Sequence, residues 1–411
     1  MSAGAVPRHA LHTAGLLRSI YIPRTASALA AAMSTYGIPL LVLATTHSTT
    51  LTGLAFALEW VPRLAAFGWA GSLVDRRGAS VISFLASSAR ALALAAGAVL
   101  LHLHPSGAAA AATVMVLATV TGGLTEFSYI AAETAGAAAG RRAGTGAHRV
   151  QAVLLGIDQS ANLAGPALAG LLLLTGPPNM LAVITVLSGV AALLALRTPP
   201  SPGAPTRAAK DTPSAGLLTG LRTIRRLPTL GWLVAGLTLS NLAISLLQAA
   251  GPVLVVHLYG QSTTAASLVW SAAAGATLLS ATLCRFVIDR VGLWPVGAAC
   301  ALLASLACLA VARAPDYRSY AALVAVLMAA DGGMTVVLRT LRSHLIPEET
   351  FGSTLSATIL ILLLPAPVAG VLTALTPTDA LGHVIAACAV LQALGLLFTF
   401  TRLRADPILR T

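Results

Sequence analysis

The sequence predicts an all-α membrane protein with twelve transmembrane helices in two pseudo-symmetric six-helix bundles. Three observations predict this fold class: a composition too apolar for folding in water, twelve apolar runs long enough to cross a bilayer, and motifs that recur in the same order in both halves. Of the 411 residues, 57% are hydrophobic and only 9% are charged. A soluble domain carries roughly 25% charged residues, so lipid is the predicted solvent for most of the surface.

The composition also excludes several function classes. The net charge of +12 would suit a nucleic-acid-binding protein, but the basic residues lie between apolar runs rather than in patches with interleaved aromatics, so no nucleic-acid partner is expected. Neither a Walker A sequence nor hydrolase or zinc-protease motifs occur, so we expect no enzyme, no cofactor and no metal site. The cysteines lack metal-ligand spacing and are predicted to be inert: Cys284, Cys300, Cys308 and Cys388.

Apolar runs place the predicted spans. A hydrocarbon core about 30 Å thick requires roughly 20 apolar residues per helix. This length gives two sets of six spans, with kinks expected in the fifth and eleventh: 25–46, 51–72, 79–101, 108–135, 150–174 and 179–197, then 229–257, 264–287, 293–312, 319–338, 351–375 and 380–401. No removable signal peptide is predicted, since the first span can serve as its own signal.

The basic residues predict the orientation. Of the 25 Lys and Arg, Arg63 and Arg90 lie within spans and Arg313 and Arg318 lie in one loop on one side. All the others, Arg24 included, fall at the predicted ends of spans or in loops on the opposite side. By the positive-inside rule, both termini and the central loop are cytoplasmic.

The chain is predicted to consist of an N-terminal bundle (1–197), a cytoplasmic linker (198–228) and a C-terminal bundle (229–411). The linker is rich in proline up to residue 213, and 214–227 is predicted to form an amphipathic helix on the membrane surface, serving as a connector or a lipid contact.

Short motifs recur between the two halves. Four pairs in the same order predict a parallel repeat with a cavity between the bundles. The pairs are Asp75-Arg76 and Gly78 with Asp289-Arg290 and Gly292; Gly37 with Gly251; Gly122-Gly123 with Gly332-Gly333; and Gly165-Pro166 through Gly170 with Ala366-Pro367 through Gly370.

The loop after the second span, from Gly71 through Asp75 and Arg76 to Gly78, resembles the Gly-x-Leu-x-Asp-Arg-x-Gly signature of the major facilitator superfamily. In that family the loop forms a cytoplasmic latch, and its degenerate copy here is Asp289, Arg290 and Gly292. The run with Gly165, Pro166 and Gly170 resembles the helix-5 motif of the superfamily's exporters. The resemblance implies alternating access, export of a small organic molecule, a monomer, and a bacterial inner membrane.

One feature departs from the family pattern. Proton-coupled drug antiporters of the superfamily commonly carry an arginine in helix 4, whereas residues 118–126 contain none. Proton coupling through a helix-4 arginine is therefore not expected here.

Ionisable residues inside spans are the candidate functional groups, because they normally face a cavity or a partner. Glu59 and Arg63, at i and i+4, form either a neutralised pair or a gate. Glu126 is predicted to couple protons or recognise a cation, and Glu133 to form a cytoplasmic salt bridge near Arg141 and Arg142. Other candidates for substrate contact or for packing are Asp158, Gln159, Asn162, Asp331, Tyr36, Tyr129, Asn241, Ser245 and Gln248.

Three functions remain open at this point. The first is a proton-coupled exporter of a siderophore-like metabolite or drug, with a small molecule, protons and the lipid bilayer as its partners. A broad-specificity multidrug/proton antiporter is the second. The third is a transporter-like sensor or assembly partner without flux.

Overall fold

The structure is a computed structural model that describes residues 16–143, 147–197, 213–346 and 351–404. These residues form long α-helices joined by short turns, without a strand in the described ranges. The helices are α1 (Leu17–Thr46), α2 (Thr49–Arg77), α3 (Ala79–Leu103), α4 (Gly107–Ala143), α5 (Ala147–Leu174), α6 (Pro177–Ala195), α7 (Pro213–Arg226), α8 (Pro228–Leu258), α9 (Thr263–Val291), α10 (Leu293–Val311), α11 (Tyr317–Leu345), α12 (Phe351–Leu363), α13 (Pro365–Leu375) and α14 (Leu381–Leu403).

Ten helical segments in the described part are long and apolar enough to cross a membrane. The segment Ser353–Leu375, which joins α12 and α13, counts as one of them. Helices α2 and α5 are 29 and 28 residues long but less apolar, because α2 carries Glu59 and Arg63, and α5 carries Asp158 with three amides. By length and composition alone, the protein is therefore a multi-pass membrane protein, with ten such segments in the described ranges.

Glycine and proline set the helix boundaries. Gly78, between α2 and α3, has φ = 88°, and Gly292, between α9 and α10, has φ = 89°. Residues with a side chain rarely adopt this left-handed backbone, and these two glycines are one of the pairs predicted to correspond. Helix α12 ends at Leu363 and α13 begins at Pro365, so the eleventh predicted span is interrupted where a kink was expected. The fifth predicted span is one helix that contains Pro166.

The same pairings of helices occur before and after α7. Helix α1 packs on α5 and α6, α2 on α4, and α3 on α4 and α6. In the second set, α8 packs on α13 and α14, α9 on α11, and α10 on α11 and α14. We call α1–α6 the first set of helices and α8–α14 the second. The two sets contact each other mainly where α2 packs on α13 and where α5 packs on α9.

Helix α7 occupies most of the predicted amphipathic segment. Leu218, Arg222 and Arg225 are exposed, whereas Ile224 is buried. At Gly220 the helix backbone approaches the carbonyl of Ser353 at the start of α12. The proline-rich part of the linker, 198–212, lies outside the described residues.

The first helix corrects one sequence assignment. It begins at Leu17 rather than near residue 25, so Arg24, assigned to the cytoplasmic side, lies within α1 with only 4% of its surface exposed. Hydropathy misplaced this boundary because a single arginine interrupts the apolar run at its edge.

Small residues bring the two sets of helices together at one end. Gly53 of α2 faces Gly370 and Ala374 of α13 backbone to backbone. Gly170 of α5 faces Thr264 and Ser267 of α9, and the Thr264 hydroxyl donates to the Gly170 carbonyl at 2.9 Å. Such close approach is typical of membrane helix interfaces, where van der Waals contact drives association.

Replacing Gly370 by alanine tests this packing. The new Cβ would lie 2.6 Å from the Ala57 nitrogen and 2.8 Å from the Gly53 oxygen, so the backbones of α2 and α13 must separate, at a cost of about 1–3 kcal/mol. We expect a lower melting temperature in detergent. Gly189→Ala is the matched control, because a Cβ there meets nothing within 4 Å. Equal melting temperatures for the two variants would contradict the packing described.

Candidate functional site

A cavity of about 370 Å³ lies between the two sets of helices. Helices α1, α2, α4 and α5 form one wall, and α8, α11, α12 and α13 form the other. The polar and aromatic side chains that line it are Thr35, Tyr36, Trp60, Arg63, Thr125, Tyr129, Asp158 and Asn162 on the first wall, and Asn241, Ser245, Gln248 and Asp331 on the second.

Most of the predicted cavity residues line this cavity. They are Tyr36, Tyr129, Asp158, Asn162, Asn241, Gln248 and Asp331. Two predicted residues do not: Glu126 is buried behind Arg63, and Gln159 is half-buried and lies off the cavity lining. The structure therefore gathers residues from both halves of the sequence at one place.

Arg63 lies between two carboxylates on the first wall. Its guanidinium is 3.5 Å from Glu59 on the same helix and 3.4 Å from Glu126 on α4. It also donates to the Thr35 hydroxyl at 3.3 Å and lies over the Trp60 ring, 4.5 Å from its centre. The predicted contact between Glu59 and Arg63 is confirmed, and Glu126 is an additional partner that spacing along the sequence did not reveal.

Arg24 lies between a second pair of carboxylates. It donates to both oxygens of Asp158 at 2.7 and 2.5 Å, and its Nη2 also pairs with Glu133. The guanidinium lies 5.2 Å from the centre of the Tyr129 ring. A two-point contact of this kind fixes the carboxylate as well as neutralising it.

The salt bridge expected at Glu133 is present, and its partner in the described part is Arg24 on the first helix. The side chains of Arg141 and Arg142, near which the pair was expected, lie outside the described part. Sequence reasoning missed Arg24 as a functional residue. The available signal was the excess of acids over bases in the spans, since unpaired carboxylates in a membrane require a cation.

Arg90 of α3 lies behind the cavity wall and is fully buried. It donates to the Ser188 hydroxyl at 3.0 Å and to the Thr125 hydroxyl at 3.4 Å. Its Nη2 atom has no hydrogen-bond partner among the described residues. Thr125 lines the cavity, so its side chain lies between the Arg90 guanidinium and the cavity.

Aromatic side chains cover the cavity at the end where α2 begins and α5 ends. Tyr36 stacks on Trp270 of α9 with ring centres 6.0 Å apart, and Phe56 lies 6.1 Å from Trp60. Beyond them, the hydroxyls of Thr49 and Thr378 are hydrogen-bonded at 3.0 Å. Side chains from both sets of helices thus meet at this end.

The two sequence motifs lie outside the cavity. Gly165 packs closely on Ala32 of α1, while Gly170 approaches α9, so the run around Pro166 joins α5 to both sets of helices. The side chain of Asp75 and the surroundings of Gly71 lie outside the described part. Arg76, Asp289 and Arg290 are exposed at the ends of α2 and α9.

Comparison with known proteins agrees with this architecture. The profile of the Major Facilitator Superfamily matches residues 20–399. The chain belongs to the major facilitator superfamily. This membership and the structural comparisons below indicate a membrane transporter and not an enzyme. No sequence among the curated proteins compared with the chain matches it.

Several solved transporters share the fold of this superfamily member at low sequence identity. The nucleoside transporter NupG, in a mutant form, aligns with a TM-score of 0.75 and 12% identity over 94% of this chain and 99% of its own. A bacterial homologue of the iron transporter ferroportin, in an inward-facing state, gives 0.73 and 15% over 97% and 100%. A D-xylose-proton symporter gives 0.70 and 14% over 94% and 97%. At such identities the likeness shows the fold alone.

Removing the cation between Glu133 and Asp158 should destabilise this transporter. Arg24→Gln leaves two carboxylates facing each other without compensation, and we expect a loss of about 2–3 kcal/mol, at the low end for a buried pair because Glu133 is 49% exposed. The double variant Arg24→Gln/Asp158→Asn should recover part of that loss. Thermal melting in detergent measures both effects.

Arg222→Gln is the control, since Arg222 is exposed on α7. If Arg24→Gln melted like this control, or if the double variant were no more stable than the single one, the ion pairs described at Arg24 would be wrong.

Proposed function

We propose that this protein moves a small organic molecule across the membrane by alternating access, with the cavity between two six-helix halves as the binding site. The cavity carries this proposal, because it is lined by charged and polar side chains from both sets of helices and is covered at one end. In transporters built from repeats, the substrate site lies at the interface between the repeats.

The proposal includes twelve spans, with α2 and α5 crossing the membrane beside the ten more apolar segments. The charged residues that make these two helices less apolar include Arg63 of α2 and Asp158 of α5, and both line the cavity. The repeated helix pairings and the matching turns at Gly78 and Gly292 support two halves with boundaries near 197 and 229.

The charge pattern of the sequence supports cytoplasmic termini, and the resemblance to bacterial exporters supports insertion in a bacterial inner membrane. In that orientation the covered end, at Thr49 and Thr378, faces the periplasm, and the cavity is reached from the cytoplasm. The protein is proposed to work as a monomer, since the site is built from one chain.

We further propose that transport is export coupled to protons. The helix-5 run around Gly165 and Gly170 resembles that of exporters and holds α5 against both sets of helices. Five carboxylates lie in or behind the cavity walls, Glu59, Glu126, Glu133, Asp158 and Asp331, against three arginines, Arg24, Arg63 and Arg90. Because carboxylates outnumber arginines, they can bind protons or a cationic group of the substrate. Glu126 is the proposed coupling residue, because it shares Arg63 with Glu59.

The cargo is proposed to be a drug or a siderophore-like metabolite. Of the arginines described here, Arg63 is the one that lines the cavity, and carboxylates already accompany it. A polyanionic molecule would therefore meet no unpaired arginine in the described part of the cavity lining, whereas a neutral or cationic molecule is compatible with the carboxylates there.

Flux in proteoliposomes tests the proposal. An imposed pH gradient should drive uptake of at least one member of a panel containing ethidium, doxorubicin and iron-free hydroxamate and catecholate siderophores. Glu126→Gln should abolish the gradient-driven component, because it removes the proton-binding group, and leave exchange down a concentration gradient. Asp379→Asn, an exposed residue outside the long helices, is the control.

The outcomes separate the alternatives. Broad accumulation of unrelated drugs would identify a multidrug antiporter. Flux without proton movement, unchanged in Glu126→Gln, would contradict coupling at this residue. An absence of flux for every probe would instead favour a sensor or assembly partner.

A further inference from the structure

The two walls of the cavity differ in how their charges are compensated. On the first wall, Asp158 faces Arg24 and Arg63 faces Glu59 and Glu126. On the second wall, Asp331 forms no ion pair and no hydrogen bond with the described residues, although it lines the cavity. The polar side chains that α8 contributes to the same cavity, Asn241, Ser245 and Gln248, are all neutral.

The turn of α11 that carries Asp331 is held in place by α9. The Thr277 hydroxyl donates to the Met328 carbonyl at 3.0 Å, and Met328 also lines the cavity. Gly332 lies against the same residue, since a Cβ there would be 2.9 Å from the Thr277 carbonyl oxygen. Asp331 is thus a carboxylate on a fixed helical turn rather than on a movable loop.

A carboxylate at membrane depth without a protein partner is costly unless water or a ligand compensates it. Asp331 is half-buried on the cavity lining, where a positively charged ligand can provide that compensation. The cations of the first wall are already engaged with carboxylates, and Arg24 and Arg63 lie over the rings of Tyr129 and Trp60. A metal ion is poorly served by one carboxylate among neutral amides, and the described residues contain no group of three His, Cys, Asp or Glu that could hold one. An organic cation needs only the carboxylate and nearby hydrogen-bonding groups.

We propose that Asp331 is the anchor for the protonated amine of a small organic cation, with the amides of Asn241 and Gln248 placed to hydrogen-bond its polar groups. This substrate class rests on the proposed function of the cavity as a transport site. A volume of about 370 Å³ lies in the range of pockets that bind drug-sized molecules. The amine is bound through charge and the remainder of the cargo through shape.

Direct binding tests the proposal without depending on transport. The probes are dansylcadaverine, a fluorescent primary amine, and the corresponding dansyl aminoalcohol, which differs only in carrying a hydroxyl where the probe has its amine. The purified full chain should bind the amine more tightly than the alcohol by about 10- to 100-fold, the range expected for a hydrogen bond to a charged group. Asp331→Asn should remove that difference by weakening the amine alone, and Asp331→Glu should retain most of it.

Asp379→Asn is the control for loss of one surface carboxylate. Equal affinity for the amine and the alcohol in the unaltered protein, or an unchanged preference in Asp331→Asn, would overturn the proposal. If Asp331→Asn does not fold, the pair of probes on the unaltered protein still decides. Absence of amine preference together with flux of another substrate would reject this inference alone, whereas absence of flux for every substrate would reject the proposed function.

Discussion

A charged group within these helices is costly unless an opposite charge, hydrogen-bonding groups or water compensate it, and this constraint organises the protein. Arg24 and Arg63 each lie between two carboxylates contributed by other turns or other helices. Their contacts join α1, α2, α4 and α5 into one wall, which is polar on its inner side. Because Asp331 on the opposite wall has no such partner in the described part, the two walls are chemically unequal, and this inequality is the basis for the proposed cationic substrate.

Close packing at one end complements the open space in the middle. Gly53, Gly170 and Gly370 allow backbones of the two sets of helices to approach each other, and this contact uses van der Waals attraction, which requires no fixed charge. Contacts of that kind can separate and re-form without leaving an unpaired charge behind. The ion pairs of Arg24 and Arg63 lie within one set of helices, so they can stay intact while the two sets move relative to each other.

The sequence predicted the fold better than the pairing of its charges. Apolar length and recurring motifs are local properties, and they predicted the all-helical membrane fold, the superfamily and the matching turns at Gly78 and Gly292. The partner of Glu133 was missed because it is Arg24, which is 109 positions away and lies at the ambiguous edge of a span. Gln159 was placed with the cavity residues, but adjacent residues on a helix point about 100° apart, so it lies beside the lining.

The central claim is that the cavity is a passage, which requires its covered end to open. The hydroxyls of Thr49 and Thr378, 3.0 Å apart, lie at that end, and cysteines there would be close enough for a disulfide. In a background without the native cysteines, Thr49→Cys/Thr378→Cys should lose transport on oxidation and regain it on reduction, while each single variant stays active. Undiminished transport by the fully cross-linked protein would contradict the account.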